Sequence, residues 1–190
     1  MNFSEALAEV LRVTNRPDKS LDAILAINKA ISYCTLKGEF NRDRVTATIA
    51  IDPALYGDTI SLSSLTRFRR FTYVKPTAAR YYLEATEGTK IFTPKNSMQP
   101  NVYYLAGTSL TYTLSNLAAS LEVEYLTYPP ILDATVLNTH WMLDLMPYAI
   151  IDLASARVFA RCGDDASARQ YEISGMDFFQ TVRKDLAVNS

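Results

Sequence analysis

The stretch from Trp141 to Leu186 limits the fold most, because two helical patterns of apolar residues follow each other across a single glycine. Pro147 suits the first turn of a helix, and Gly163 suits the left-handed residue that ends one. Asp164 or Asp165 can then cap the next helix. The sequence therefore predicts a helical hairpin whose two apolar stripes face each other. The stripes are Ile151, Ala154, Ser155, Val158 and Cys162, and then Ala168, Tyr171, Gly175, Phe178, Val182 and Leu186.

Two further helices are predicted at the N-terminal end, one on each side of Pro17. Ser4 can cap the first helix. Gly38 can close the second. Since neither helix pair can bury its apolar stripe alone, the two pairs are expected to pack together. The N-terminal stripes are Leu7, Val10 and Leu11, followed by Leu21, Ile24, Ile27, Ile31 and Cys34.

Between the helical ends, the apolar period changes from about 3.6 residues to 2, which is typical of strands. Leu121, Val123 and Tyr125 alternate with Glu122 and Glu124, so the two carboxylates share the opposite face of one strand. A glycine turn at residue 107 joins two alternating runs and predicts a hairpin. The predicted strand segments are 44–51, 60–62, 67–75, 81–83, 89–92, 102–105, 110–114 and 121–128.

This order predicts an α+β fold, in which an N-terminal helix pair and a C-terminal helical hairpin pack as a bundle with an inserted antiparallel β region. The expected domains are residues 1–43, 44–130 and 131–190. With 48% hydrophobic and 21% charged residues, the chain is expected to be globular,. Its net charge of −1 argues against a dedicated nucleic-acid binder with a large basic surface,.

The N-terminus lacks the basic start and apolar core of a signal peptide, and no apolar run is long enough to cross a bilayer. We therefore expect synthesis in a cytosol and no membrane partner. Cys34 and Cys162 are too far apart in sequence for a zinc knuckle or a redox motif, and each is expected to act as a small hydrophobic residue.

Few residues are candidates for chemistry. His140, the only histidine, could act as a base with Asp144, but a lone histidine is more often structural or capping,. Glu122 and Glu124 could form a carboxylate pair, whereas a solvated or subunit-facing strand surface is the simpler interpretation. No glycine-rich phosphate loop is present. We expect no enzymatic activity, no catalytic residue, no metal and no cofactor.

The most distinctive polar cluster is Arg67, Arg69 and Arg70, interleaved with Phe68 and Phe71. Strict alternation puts Arg67 and Arg69 on one face and Phe68 and Arg70 on the other. Three interpretations stay open: a subunit or partner contact, a solvated face, and a nucleic-acid-binding strand that stacks bases on the aromatic rings.

Four segments together resemble a known family: residues 7–21 at the opening, Asn101 to Gly107 with Leu110 and Tyr112, Leu121 to Pro130, and Trp141 to Tyr171. Their order and pattern are similar to those of the head-to-tail adaptor (connector) proteins of short-tailed bacteriophages, which include tail tubular protein A and the podovirus adaptors. The resemblance spans nearly the whole chain.

The resemblance implies a structural virion protein of the neck or tail, made in the host bacterial cytoplasm. It implies a homo-oligomeric ring, usually of twelve copies, between the portal protein and the tail nozzle or tail tube protein. DNA would pass through the central channel without sequence-specific binding. The C-terminal residues Leu186 and Val188 become candidate contacts to the portal. The loops Pro53–Asp58 and Pro94–Pro100 become candidate contacts to the nozzle or to neighbouring copies.

Overall fold

The structure is a computed structural model that describes residues 1–77, 79–87 and 100–188, with side chains as far as Leu186. The fold is α+β, as predicted. The chain forms two compact units, Met1–Asp43 with Pro129–Ser190, and Arg44–Tyr128. Each unit has its own hydrophobic core.

The helical unit is built from both ends of the chain. It contains α1 (Phe3–Thr14), α2 (Ser20–Gly38), α3 (Trp141–Leu145), α4 (Pro147–Arg161) and α5 (Asp165–Val188), with short 3-10 turns at Pro17–Lys19 and Asn41–Asp43. None of the helices in the described ranges is long and apolar enough to span a membrane.

Helix α4 is the centre of this unit, because α1, α2 and α5 all pack against it. The predicted stripe of α4 is buried from Ile151 to Val158, and Cys162 is half-buried. Helix α5 crosses α4 closely at Gly175: a Cβ there would lie 2.8 Å from the Leu153 Cγ and 3.0 Å from its backbone nitrogen. The glycine therefore permits the close approach of the two helices.

Helix ends and stripes differ from the prediction at several residues. Asn2, not Ser4, caps α1, in a capping box with Glu5. Asp164 accepts the Ser167 N–H at 3.1 Å, which confirms one of the two predicted caps of α5. Phe178 is 48% exposed and Phe179 is fully buried, so the predicted stripe of α5 was wrong at that position. Cys34 is buried, as predicted.

The β unit contains two sheets that share one core. Its strands are β1 (Arg44–Ala50), β2 (Gly57–Ser61), β3 (Phe68–Pro76), β4 (Glu84–Ala85), β5 (Val102–Ala106), β6 (Ser109–Thr113) and β7 (Ser120–Thr127). One sheet has the order β1-β7-β3 and the other β2-β6-β5-β4. All pairs among the described strands are antiparallel except β4 with β5, which is parallel and departs from the expected all-antiparallel region.

The hairpin of β5 and β6 turns at Gly107, whose φ of 58° is the positive angle that tight hairpin turns require,. The predicted strand 81–83 is not observed, and β4 lies just after it. The predicted strand 89–92 lies outside the described residues, as does all of the predicted loop 94–100 except Pro100.

Strand β7 is the middle strand of the first sheet and has the predicted alternation. Leu121, Val123 and Tyr125 are buried, and Glu122 and Glu124 lie on the other face. Strand β3 does not alternate strictly, because its register against β7 shifts between residues 68 and 70 and again between 71 and 73. Such irregularities change which face the following side chains occupy.

Candidate functional site

His140 caps the short helix α3. It is 8% exposed, its Nδ1 accepts the Met142 N–H at 3.3 Å, and its ring stacks against Trp141. Asp144 accepts a hydrogen bond from the Met1 amino group at 3.2 Å. A general base needs a free imidazole lone pair, and the Met142 N–H already occupies the one on His140,. The geometry therefore does not support an enzyme based on a His140–Asp144 pair.

Trp141 is held beside this cap by a buried acid. Its Nε1 donates to the Asp43 Oδ1 at 2.9 Å, and its ring meets that of Phe40 edge-on with centroids 4.9 Å apart. The contact ties the end of the N-terminal helix pair to the start of the C-terminal helices, so these residues have a structural role.

Glu122 and Glu124 bind side chains of neighbouring strands. Glu122 accepts from the Tyr73 hydroxyl at 2.8 Å and pairs with Lys75 at 3.2 Å. Glu124 pairs with Arg44 at 3.2 Å. The Tyr73 hydrogen bond, followed by Lys75, lowers the pKa of Glu122, and the same bond raises the pKa of Tyr73 to about 12. The polar face of this sheet is thus a cross-strand network.

The predicted arginine–aromatic strand is not one surface. Phe71 is buried, and Phe68 packs against it with ring centroids 4.7 Å apart, both in the β core. The register shifts of β3 against β7 bring both aromatic rings to the core side of the sheet. The rings are therefore not free to stack bases. Arg67 precedes β3 in a left-handed conformation with φ 52°, so it does not alternate with Arg69. Arg67 and Arg70 are exposed and Arg69 is half-buried, so a partner contact through them stays a prediction.

The C-terminal candidates lie at the end of α5. Leu186 packs partly against the helical core, which leaves only part of its side chain for a partner. The side chain of Val188 lies outside the described part, so the predicted portal contact through it stays a prediction.

The structure brings together a basic groove that the sequence patterns did not indicate. It runs between α2 and α4 and contains more cations than carboxylates. Asp22 is bound by Arg161 and lies 3.9 Å from the Lys19 Nζ. Within the described chain, Lys29 and Arg157 form no ion pair. We call this surface the basic groove; it is lined by Asp22, Ala26, Lys29, Arg157, Ala160 and Arg161.

Two exposed leucines of α2 continue the helix row of Lys29, which lines the basic groove. Leu21 is 78% exposed and Leu25 is 50% exposed, and their spacing with Lys29 (i, i+4, i+8) places all three on one row of the helix,. Leu21 was predicted to be buried, and this was wrong. Helix α2 carries more large apolar residues than one stripe can bury. This excess was the sequence signal that some of them would be exposed.

A second exposed surface consists of the loop between β1 and β2 together with the first two residues of β2. Residues Asp52 to Asp58, which we call the acidic loop, place exposed Leu55 and Tyr56 between two carboxylates. The Asp52 Oδ1 accepts the Ala54 N–H at 2.8 Å, and the Tyr56 carbonyl accepts the Leu114 N–H at 2.6 Å. These bonds hold the loop at both of its ends.

No group of three or more His, Cys, Asp or Glu side chains suited to a metal ion occurs among the described residues. Models of known protein families give no match to this chain, and neither do curated protein sequences.

Proposed function

We propose that this protein is a structural virion protein, the head-to-tail adaptor of a short-tailed bacteriophage. Copies of the chain form a ring between the portal protein and the tail nozzle or tail tube protein. The genome passes through the central channel without sequence-specific binding. The protein works in the neck or tail of the virion and catalyses no reaction.

The observation that carries this proposal is that both ends of the chain contribute to one helical unit. The N-terminal helices and the C-terminal hairpin share a single core, and the β unit is inserted between them. This is the order of elements on which the resemblance to the adaptor family rests. Exposed large apolar side chains, among them Leu21 and Tyr148, add support, because such residues are often covered in assemblies,.

The alternative, a nucleic-acid-binding module built on residues 67–71, is less well supported. That function needs exposed aromatic rings beside the arginines, and Phe71 is buried with Phe68 packed on it. Nothing else in the described chain favours it over the adaptor.

Light scattering tests the proposal directly. The mass of the purified protein is measured alone, and then after mixing with the portal protein of the same phage. We expect a complex of ring size in at least the mixture. A matched sample with an unrelated portal of similar charge is the control for non-specific binding. A monomer that ignores its own portal would contradict the proposal.

A further inference from the structure

We infer that the basic groove of one copy receives the acidic loop of a second copy, and that this contact joins neighbours in the ring. The inference rests on the proposed function, because it names the surfaces through which the proposed ring closes. Its occupant is thus a second copy of this chain.

The groove has the chemistry of a binding site for an acidic apolar segment. Its lining includes the small side chains Ala26 and Ala160, which leave space between the helices. Its lining has three cations and one carboxylate, and Arg161 already binds that carboxylate. Lys29 and Arg157 therefore contribute unmatched positive charge.

The acidic loop has the complementary features in a short segment. Leu55 and Tyr56 are 41% and 56% exposed, and the carboxylates of Asp52 and Asp58 flank them. Each carboxylate accepts one local backbone N–H, from Ala54 and Thr59. Neither forms an ion pair within the described residues.

Pairing the two surfaces satisfies both sets of groups. The two aspartates would meet Lys29 and Arg157, while Leu55 and Tyr56 would cover the exposed Leu21 and Leu25. Because the loop is already held by backbone hydrogen bonds, little conformational entropy is lost on binding. The two surfaces are different patches of the same chain, so the contact is heterologous, and heterologous contacts generate rings when the rotation closes.

Reversing the charge of each surface separately tests the inference. The groove variant carries Lys29→Glu and Arg157→Glu, and the loop variant carries Asp52→Lys and Asp58→Lys. A control variant, Arg169→Glu with Lys184→Glu, makes the same charge change as the groove variant at exposed positions of α5. We expect the concentration needed for ring assembly to rise about tenfold or more in the groove and loop variants, and to stay unchanged in the control.

Mixing the two variants is the decisive step. In an equimolar mixture, the acidic groove of the groove variant can bind the basic loop of the loop variant. The unchanged groove of the loop variant can bind the unchanged loop of the groove variant. Every contact in a ring that alternates the two variants then pairs opposite charges, so assembly should return. Circular dichroism checks that each variant is folded. If the lysine substitutions disturb the loop, Asp52→Asn with Asp58→Asn keeps both local acceptors and should still weaken assembly at low salt.

The outcomes separate this inference from the proposed function. If the wild-type protein forms rings and the groove variant forms them at the same concentration, the inference is wrong. The adaptor proposal is then unaffected. The same is true if the groove variant forms rings but no longer binds the portal. A mixture that never assembles also overturns the inference. A wild-type protein that never assembles contradicts both.

Discussion

The buried hydroxyl of Tyr112 shows how a single residue can limit the stability of the β unit. Tyr112 is fully buried on β6, and its Oη has no hydrogen-bond partner among the described residues. Burial, with nearby Asp58 and Asp52, raises the pKa of this phenol. An unsatisfied buried polar group costs about 1–3 kcal/mol.

We predict that Tyr112→Phe increases the free energy of unfolding by about 1 kcal/mol, because it removes the unpaired hydroxyl and keeps the ring. Urea denaturation measures the change. Tyr73→Phe is the matched control, since it removes a hydroxyl that is bonded to Glu122 and should leave stability unchanged or lower it. A loss of stability in Tyr112→Phe would mean that the hydroxyl has a partner.

The Glu122–Tyr73 contact should make stability depend on pH in a defined window. The pKa of Glu122 is lowered in the folded protein. Its contribution to the free energy of unfolding is therefore present above the ordinary carboxyl pKa and is lost as the pH falls through the lowered pKa. The pKa of Tyr73 is raised to about 12, so its contribution is lost only as pH rises through that value,.

We therefore predict that Glu122→Gln lowers stability at about pH 7 and has a smaller effect below about pH 3. Urea denaturation at both pH values measures the difference. In a Tyr73→Phe background, the pH dependence of the substitution should shrink, because the main cause of the pKa shift is removed. An effect of Glu122→Gln that is equal at both pH values would contradict this account.

Among the elements, the crossing of α4 and α5 depends on Gly175. Alanine normally stabilises a helix interior by about 1 kcal/mol relative to glycine. Here its Cβ would lie 2.8 Å from the Leu153 Cγ and 3.1 Å from the Asp152 Cβ. We predict that Gly175→Ala destabilises the protein by about 1–3 kcal/mol, because the helices must separate.

Thermal and urea unfolding measure this change, with Gln180→Ala as the control on the exposed side of the same helix. The control should stay within about 0.5 kcal/mol of the wild type. Stabilisation by Gly175→Ala would show that the helix crossing adjusts without cost.

Local sequence patterns predicted the elements where one periodicity dominates. The hairpin stripe of α4, the alternation of β7 and the turn at Gly107 follow from apolar spacing and glycine, and the structure confirms them. In β3 the pattern fails, because two register shifts place Phe68 and Phe71 in the same core. Such shifts depend on the partner strand, which the local pattern does not contain.

The candidate surfaces were harder to predict than the elements. Leu21 was assigned to a buried stripe because α2 is apolar on more than one side, and only tertiary packing decides which side is covered. The basic groove joins Lys29 to Arg157, which are distant in sequence and meet only when α2 packs on α4. The loop Pro53–Asp58 is a candidate contact only through the resemblance to the adaptor family, and that contact stays a prediction.

For the whole molecule, the points where the chain enters and leaves the β unit explain how this unit can be inserted without disturbing the helices. Arg44 at the start of β1 pairs with Leu126 near the end of β7, so the unit begins and ends at one place. Directly opposed residues in an antiparallel pair have Cα atoms about 5 Å apart. A short linker can therefore replace the whole unit.

We predict that each unit folds without the other. In one chain, residues 1–43 are joined to residues 129–190 by about four Gly and Ser residues, which span the gap; residues 44–128 are expressed alone as a second chain. Because each unit has its own core, both chains should unfold cooperatively in urea. The joined helical chain should also keep the protected environment of Trp141, which Asp43 and Phe40 contact.

The control for this prediction inserts the same linker between residues 43 and 44 of the intact protein, which tests whether the linker itself disturbs the end of the helical unit. A helical chain that is unfolded while this control is folded would show that the helices need the β unit. Cooperative unfolding of both parts would mean that the two ends of the sequence specify one domain by themselves, because the core that they share contains no residue of the β unit.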